Sequence, residues 1–246
     1  VFVPISDENP LRSIRVAYVT ILLIAANCVV FLLQVSTINE QMAISLALVP
    51  DRLLKFVAVG GPAFAPSDEF GVPQPYTLLS YMFLHGNIVH LAGNMLFLWV
   101  FADNIEDAFG HFKFLIFYIV CGLFAGLTHV VMLPTSSVPL IGASGAVAGV
   151  IAAYVVLHPQ VRVWVLAFRF IPLRITAALA LGAWIVVQLA MVALPYLVAS
   201  PQLGPVAWWA HVGGLLAGGV LVVFLRRPGV PLFGRTIGVG QDKLST

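Results

Sequence analysis

Apolar residues run along this chain in long blocks, with the charges gathered between them. No charge falls within 16–39, 70–102, 114–161 or 175–225, runs of 24, 33, 48 and 51 residues. A helix crosses a bilayer with about 20 apolar residues. The first two runs hold one such helix each. The last two are cut by proline-flanked segments, Pro134 to Pro139 and Pro195 to Pro205, which leaves two spans in each. The pattern therefore predicts six helices, over 14–36, 84–104, 112–133, 142–158, 175–197 and 206–226. A closed barrel would need period-two alternation, and runs such as Val19-Thr20-Ile21-Leu22-Leu23-Ile24 lack it. The first 30 residues show no small-residue cleavage site after a short apolar core, so the first helix reads as retained.

Composition narrows the class further. Of 246 residues, 12 are Lys or Arg and 10 are Asp or Glu, a charged fraction of 9%. An ordinary soluble domain carries about 25%. Apolar residues make up 61%. This excludes a soluble enzyme, a nucleic-acid binder and a disordered chain. Cys28 and Cys121 lie in apolar stretches, so no disulfide framework is implied. A net charge of +2 argues for no anionic partner.

The basic residues then orient the spans. One side would hold Arg12, Arg15, Lys113, Arg162, Arg169, Arg174, Arg226, Arg227, Arg235 and Lys243, and the other only Arg52 and Lys55. Both termini are expected in the cytoplasm, with a long external loop over 37–76. Within that loop Ala43 to Val59 is apolar but carries Asp51, Arg52 and Lys55, and reads as an interfacial segment. The stretch 163–168 reads the same way at the inner surface. The tail 228–246 is expected to be flexible. The whole of 1–246 reads as one membrane domain.

Polar groups inside a membrane are costly, which makes each one a functional candidate. His111 and His158 fall at helix ends and are expected to snorkel to water. His129 is expected to reach the outer interface. That leaves His85, His90, His211 and Asn94. Helices two, four and six all run inward, so His85, His90, Asn94, Ser144 and His211 share one outer depth. His90 and Asn94 are four apart and share a helix face. His85 is five residues before His90 and is expected to point elsewhere. Ser144 opens helix four within Gly142-Ala143-Ser144-Gly145, where small neighbours and free helix-start N–H groups surround the hydroxyl. Gly145-xxx-Gly149 on helix four and Gly214-xxx-Gly218 on helix six are close-packing faces. If they meet, Ser144 and His211 reach the same level, the minimum for an activated serine. Gly122-xxx-Gly126 reads as packing alone. Asp103, Glu106 and Asp107 lie a membrane thickness away, so the reading is a dyad rather than a triad.

Three motifs, His85-xxxx-His90-xxx-Asn94, Gly142-Ala143-Ser144-Gly145 and Ala210-His211-xx-Gly214-xxx-Gly218, resemble those of the rhomboid family of intramembrane serine proteases. The resemblance runs over roughly 14–226 and is to the six-helix bacterial form. It implies an all-α membrane fold of six spans. It implies Ser144 as nucleophile, His211 as general base, and His90 and Asn94 as oxyanion-stabilising groups. It further implies a supporting role for His85, with Gly142 and Gly145 as the small residues beside the nucleophile. It implies single-span membrane proteins as substrates, a site toward the outer face of a bacterial plasma membrane, and no metal or cofactor.

The sequence departs from the family at two places. Tyr76-Thr77 stands where many members have Trp-Arg. Ala148 stands where some have an aromatic residue packed on the catalytic histidine, so another group must hold His211. A transporter or channel, a metalloenzyme using His85, His90 and His211, and a non-catalytic membrane-protein binder are the competing readings. The sequence does not identify an oligomeric state.

Overall fold

The computed structural model describes residues 2–38, 40–58, 71–167, 170–198 and 207–234. Helices dominate. After strand β1 (Phe2–Asp7) come α1 (Tyr18–Ser36), α2 (Glu40–Leu46) and α3 (Pro50–Ala58). A one-turn helix, α4 (Thr77–Ser80), leads to α5 (Ile88–Phe109), α6 (His111–Met132) and α7 (Ser144–Leu157). Strands β2 (Arg162–Ala167) and β3 (Ile171–Thr176) precede α8 (Ala177–Val198) and α9 (Trp208–Leu225). Among the described residues, five helices are long and apolar enough to cross a membrane: α1, α5, α6, α9 and Ala177–Leu194 of α8. Their limits lie within about five residues of the expected spans.

The remaining expected span differs in length. At about 1.5 Å per residue, the 14 residues of α7 rise about 21 Å, short of a hydrocarbon core of about 30 Å. Its far end is tied to the sheet connection, where His158 N donates to Tyr154 O and Ala177 N to Val161 O. The shortfall therefore lies at the Ser144 end, which starts from a loop instead of from the bundle surface.

The expectation of an all-helical chain needs correction. Strands β1, β2 and β3 form an antiparallel sheet in that order. The stretch read as a flat interfacial segment, 163–168, is mostly strand β2. Val163, Val165 and Ala167 turn inward, while Arg162 and Trp164 turn out, so one face of a period-two strand covers the bundle's end. Pro4, which cannot donate to a ladder, sits on edge strand β1 beside a register shift. The 37–76 loop is likewise structured where described, by α2 and α3. The part of it over 59–70 lies outside the described residues. The tail is not loose over 228–234: Phe233 N donates to Val156 O at 2.7 Å and Gly234 N to Leu157 O at 3.2 Å. Residues 235–246 lie outside the description.

The sheet end of α5 gathers the N-terminal chain through two carboxylates. Asp107 accepts the backbone N–H groups of Arg12, Ser13 and Ile14 at 2.6 to 3.1 Å. Glu106, fully buried, accepts the N–H of Val19 and Thr20 and the Thr20 hydroxyl at 2.7 to 2.9 Å. Those amides open α1 and have no partner within it, so a distant carboxylate serves as its cap. His111 Nδ1 lies 2.5 Å from Glu106 Oε1, so this histidine is paired instead of simply snorkelling. His158 is half-buried and its Nε2 has no hydrogen-bond partner among the described residues, which also differs from a ring reaching water.

The sheet meets the bundle through Asp7, whose carboxylate accepts a hydrogen bond from the Tyr154 hydroxyl. Burial pushes the Asp7 carboxyl up from 3.8 to about 6, outweighing the Tyr154 bond that favours the anion. The folded chain therefore holds an extra proton here between about pH 4 and pH 6. The protonated contact is fully favourable below about pH 4 and is lost as pH rises through about 6. The thermal midpoint of wild-type protein, relative to an Asp7→Asn variant, should fall over that window and stay flat above about pH 7. A difference constant from pH 4 to 7 contradicts this assignment.

Candidate active site

Helices α6, α7 and α9 meet through residues without side-chain bulk. A methyl group on Gly214 would lie 1.9 Å from the Gly145 carbonyl oxygen, and one on Gly218 would lie 2.2 Å from that of Gly149. The backbones of α7 and α9 thus touch along both glycine spacings. The Cα positions of Gly145 and Gly149 turn toward α6: added methyls would meet Ala125 Cβ and Cys121 Sγ, each at 2.5 Å. Gly122 and Gly126 face Met82 and Tyr81 of the chain before α5.

This packing brings Ser144, the first residue of α7, beside His211 in the first turn of α9. Ser144 Oγ lies 2.8 Å from His211 Nε2. His211 is buried, and its Nδ1 lies 2.7 Å from Gln188 Oε1 of α8. Trp184 and Trp208 flank the ring, with centroids 5.8 and 6.0 Å away. Sequence reasoning asked what would replace an aromatic at position 148 but did not find Gln188. The signal was present: Gln188 is the one strongly polar residue in the run 175–197. Ala148 itself is fully buried near Gly214.

His90 and Asn94 come to the same place from α5. Asn87 caps that helix, its side chain accepting the His90 N–H at 2.9 Å. Gly142, just ahead of Ser144, adopts φ +119°, a conformation that favours glycine. A methyl on Gly142 would sit 2.7 Å from the His90 ring and 3.8 Å from Asn94 Nδ2. The Gly142 N–H donates to Tyr81 O, and the Tyr81 hydroxyl donates to Gly122 O, so buried Tyr81 clamps this loop onto α6. Asn94 Nδ2 is buried and has no hydrogen-bond partner among the described residues.

His85 differs from expectation. It precedes α5 in an extended turn, so helical spacing does not govern its direction. Its ring is buried edge-on against His90, with centroids 5.1 Å apart. Its backbone exchanges hydrogen bonds with the Gln34 side chain of α1. His129, near the end of α6, is buried within the protein at 6% exposure. At the departure from Trp-Arg, Tyr76 is exposed and Thr77 is buried, its hydroxyl donating to Gln74 O.

A serine hydroxyl on a recessed helix start, a histidine in hydrogen-bond reach and unspent amide donors nearby are together suited to acyl transfer. Among known proteins, a family profile described as Rhomboid domain matches residues 72–228. The chain belongs to the rhomboid family. It is a multi-pass membrane protein, and α1 lies ahead of the matched stretch. RHOMBOID-like protein 5 of Arabidopsis thaliana is 28% identical over 235 residues, covering 87% of this chain and 69% of the relative. Rhomboid-like protein 11, chloroplastic, of the same plant is 35% identical over 85 residues, or 35% of this chain and 30% of the relative. Presenilin-associated rhomboid-like protein, mitochondrial, of Homo sapiens is 32% identical over 150 residues, or 57% and 35%. This rhomboid chain therefore spans about a third of the last two.

The glycine contacts yield a direct test. Gly214→Ala must separate α7 from α9, because its methyl would overlap a backbone carbonyl that cannot rotate away. Overpacking of this kind costs about 1–3 kcal/mol. The variant should unfold at lower temperature in detergent and lose Ser144 reactivity toward a fluorophosphonate. Gly182→Ala, where nothing lies within 4 Å, should do neither.

Proposed function

We propose that the chain is an intramembrane serine endopeptidase that cleaves single-span membrane proteins in or near their transmembrane segment. The observation that carries this reading is the 2.8 Å approach of Ser144 Oγ to His211 Nε2 at a recessed helix start. The rhomboid family acts on membrane-protein substrates within the bilayer and contains both proteases and protease-like relatives without activity. The intact pair favours the first.

In this mechanism neutral His211 takes the Ser144 proton as Oγ attacks a peptide carbonyl. The tetrahedral oxyanion forms beside Gly142, where the absence of a side chain leaves room. Asn94 Nδ2, the His90 ring and the Ser144 N–H are its donors. His211 then gives the proton to the leaving amine, and water hydrolyses the acyl-enzyme. Protonated His211 cannot act as the base, so the rate falls on the acid side of its titration. No metal is required by these steps. Both ring nitrogens of His211 are already engaged, which disfavours its use as a metal ligand.

The membrane placement belongs to the same reading. The chain is one membrane domain, with α7 as the short sixth span, both ends in the cytoplasm and the Ser144 end toward the outer face. Ten basic residues against two support that orientation. The membrane is proposed to be a bacterial plasma membrane.

Purified protein should react with a fluorophosphonate and cleave a single-span substrate. Ser144→Ala should abolish labelling and lower cleavage by at least about 10³-fold. His90→Ala and Asn94→Ala should each lower kcat by about 10²-fold. Cleavage by Ser144→Ala at the wild-type rate would sink the proposal. Ion flux in proteoliposomes that survives this substitution would favour a transporter instead.

A further inference from the structure

A neutral imidazole has one donor nitrogen and one acceptor, and its neighbours decide which is which. For His211 to take a proton from Ser144, Nε2 must be the acceptor. Nδ1 must then carry the hydrogen. In a familiar triad a carboxylate enforces this tautomer. Here the carboxylates of α5 lie toward the sheet end, Glu106 and Asp107 bonded to the N-terminal chain and Asp103 accepting from the Asn104 N–H.

We propose that Gln188 is the positioning residue of the Ser144–His211 pair, a neutral third member that fixes the imidazole as its Nδ1–H tautomer. The inference rests on the reading of that pair as nucleophile and base. A glutamine could in principle present either its oxygen or its NH2 to the ring, and only the oxygen gives the right tautomer. The second bond of the amide decides between them. Gln188 Nε2 lies 3.3 Å from the backbone oxygen of Trp184, one helical turn earlier. A backbone oxygen only accepts, so the NH2 group must face Trp184 and Oε1 must face His211. Oε1 in turn only accepts, so Nδ1 is the donor across the 2.7 Å contact. Nε2 is then left with its lone pair toward Ser144 Oγ, 2.8 Å away.

Burial makes the arrangement firm. Gln188 is 4% exposed and His211 is 7% exposed, so bulk water cannot readily replace either partner, and a broken bond would strand two polar groups. The rings of Trp184 and Trp208 limit rotation of the imidazole. Trp184 thus acts twice, once through its backbone on the glutamine and once through its ring on the histidine. Unlike a carboxylate, the amide orients the ring without adding a negative charge to the apolar bundle.

The test uses full-length protein in detergent with ¹⁵N-labelled histidine, the His211 signals being assigned by their loss in His211→Gln. Wild type should show the Nδ1–H tautomer. Gln188→Leu, close in volume and compatible with a membrane helix, should show mixed tautomers and a kcat lower by about 10- to 100-fold. KM should change by less than about twofold, because no substrate contact is removed. Gln188→Glu keeps an acceptor at the same reach, so it should retain the Nδ1–H tautomer and recover kcat to within about tenfold of wild type. An Nε2–H tautomer in wild type would overturn the proposal. So would an unchanged kcat in Gln188→Leu, a loss expressed in KM alone, or a Glu variant as impaired as the Leu variant. The tautomer measurement needs no turnover. Absence of protease activity in wild type therefore removes the proposed function while still deciding whether Gln188 sets the ring.

Discussion

The contact between α7 and α9 leaves no room for a Cβ at Gly214 or Gly218, and the geometry of the site depends on it. Ser144 is one residue before Gly145, and His211 is three residues before Gly214. Once the Gly145 carbonyl rests on the Gly214 Cα, the serine and histidine have little freedom to miss each other. Lipid tails are as apolar as leucine, so hydrophobic burial offers little drive to hold two membrane helices together. Close packing does it instead, and α6 completes the wedge with Ala125, Cys121 and Thr128 against the other glycine faces. Precision at the hydroxyl is thus a property of backbone contact further down the helices.

Helix α5 treats its polar groups differently at its two ends. At the sheet end Glu106 and Asp107 are satisfied by backbone amides, a hydroxyl and a histidine. At the other end Asn94 Nδ2 has no hydrogen-bond partner among the described residues, and the helix-start amides of α7 are not used within the helix. Buried polar groups are nearly always bonded, so a cluster of unspent donors beside a serine is informative. The first arrangement ties chain segments together. The second leaves hydrogen-bonding capacity where charge would develop in a reaction.

Much of this was legible in the order of residues. Long charge-free runs revealed the helices because a membrane span is encoded in a contiguous block. Ser144, His211, His90 and Asn94 could be grouped because helix direction and spacing set their depth. Four features were less accessible. Strand β2 is only six residues long, and a short apolar run does not distinguish a strand from an interfacial segment. His85 was projected onto a helix that begins only at Ile88, after Asn87 caps it. Gln188 was visible as a lone polar residue in an apolar run. Its partner is on another helix, and no local pattern says which faces of α8 and α9 meet. The roles of Glu106 and Asp107 were hidden for the same reason, since the amides they accept from lie 86 to 95 residues earlier, near the N-terminus.

The cap that Glu106 places on α1 has a consequence for how the protein is made. The amide of Thr20 is synthesised 86 residues before the carboxylate that accepts it. While the chain emerges, the first span must keep its leading amides in contact with water at the membrane surface. It can settle against the bundle only after the end of α5 has been delivered. α1 also has little buried surface, with only 22% of its span enclosed, so it gains little from docking earlier. Helix α1 is therefore completed by a group carried on a later span, and order of assembly departs from order of synthesis.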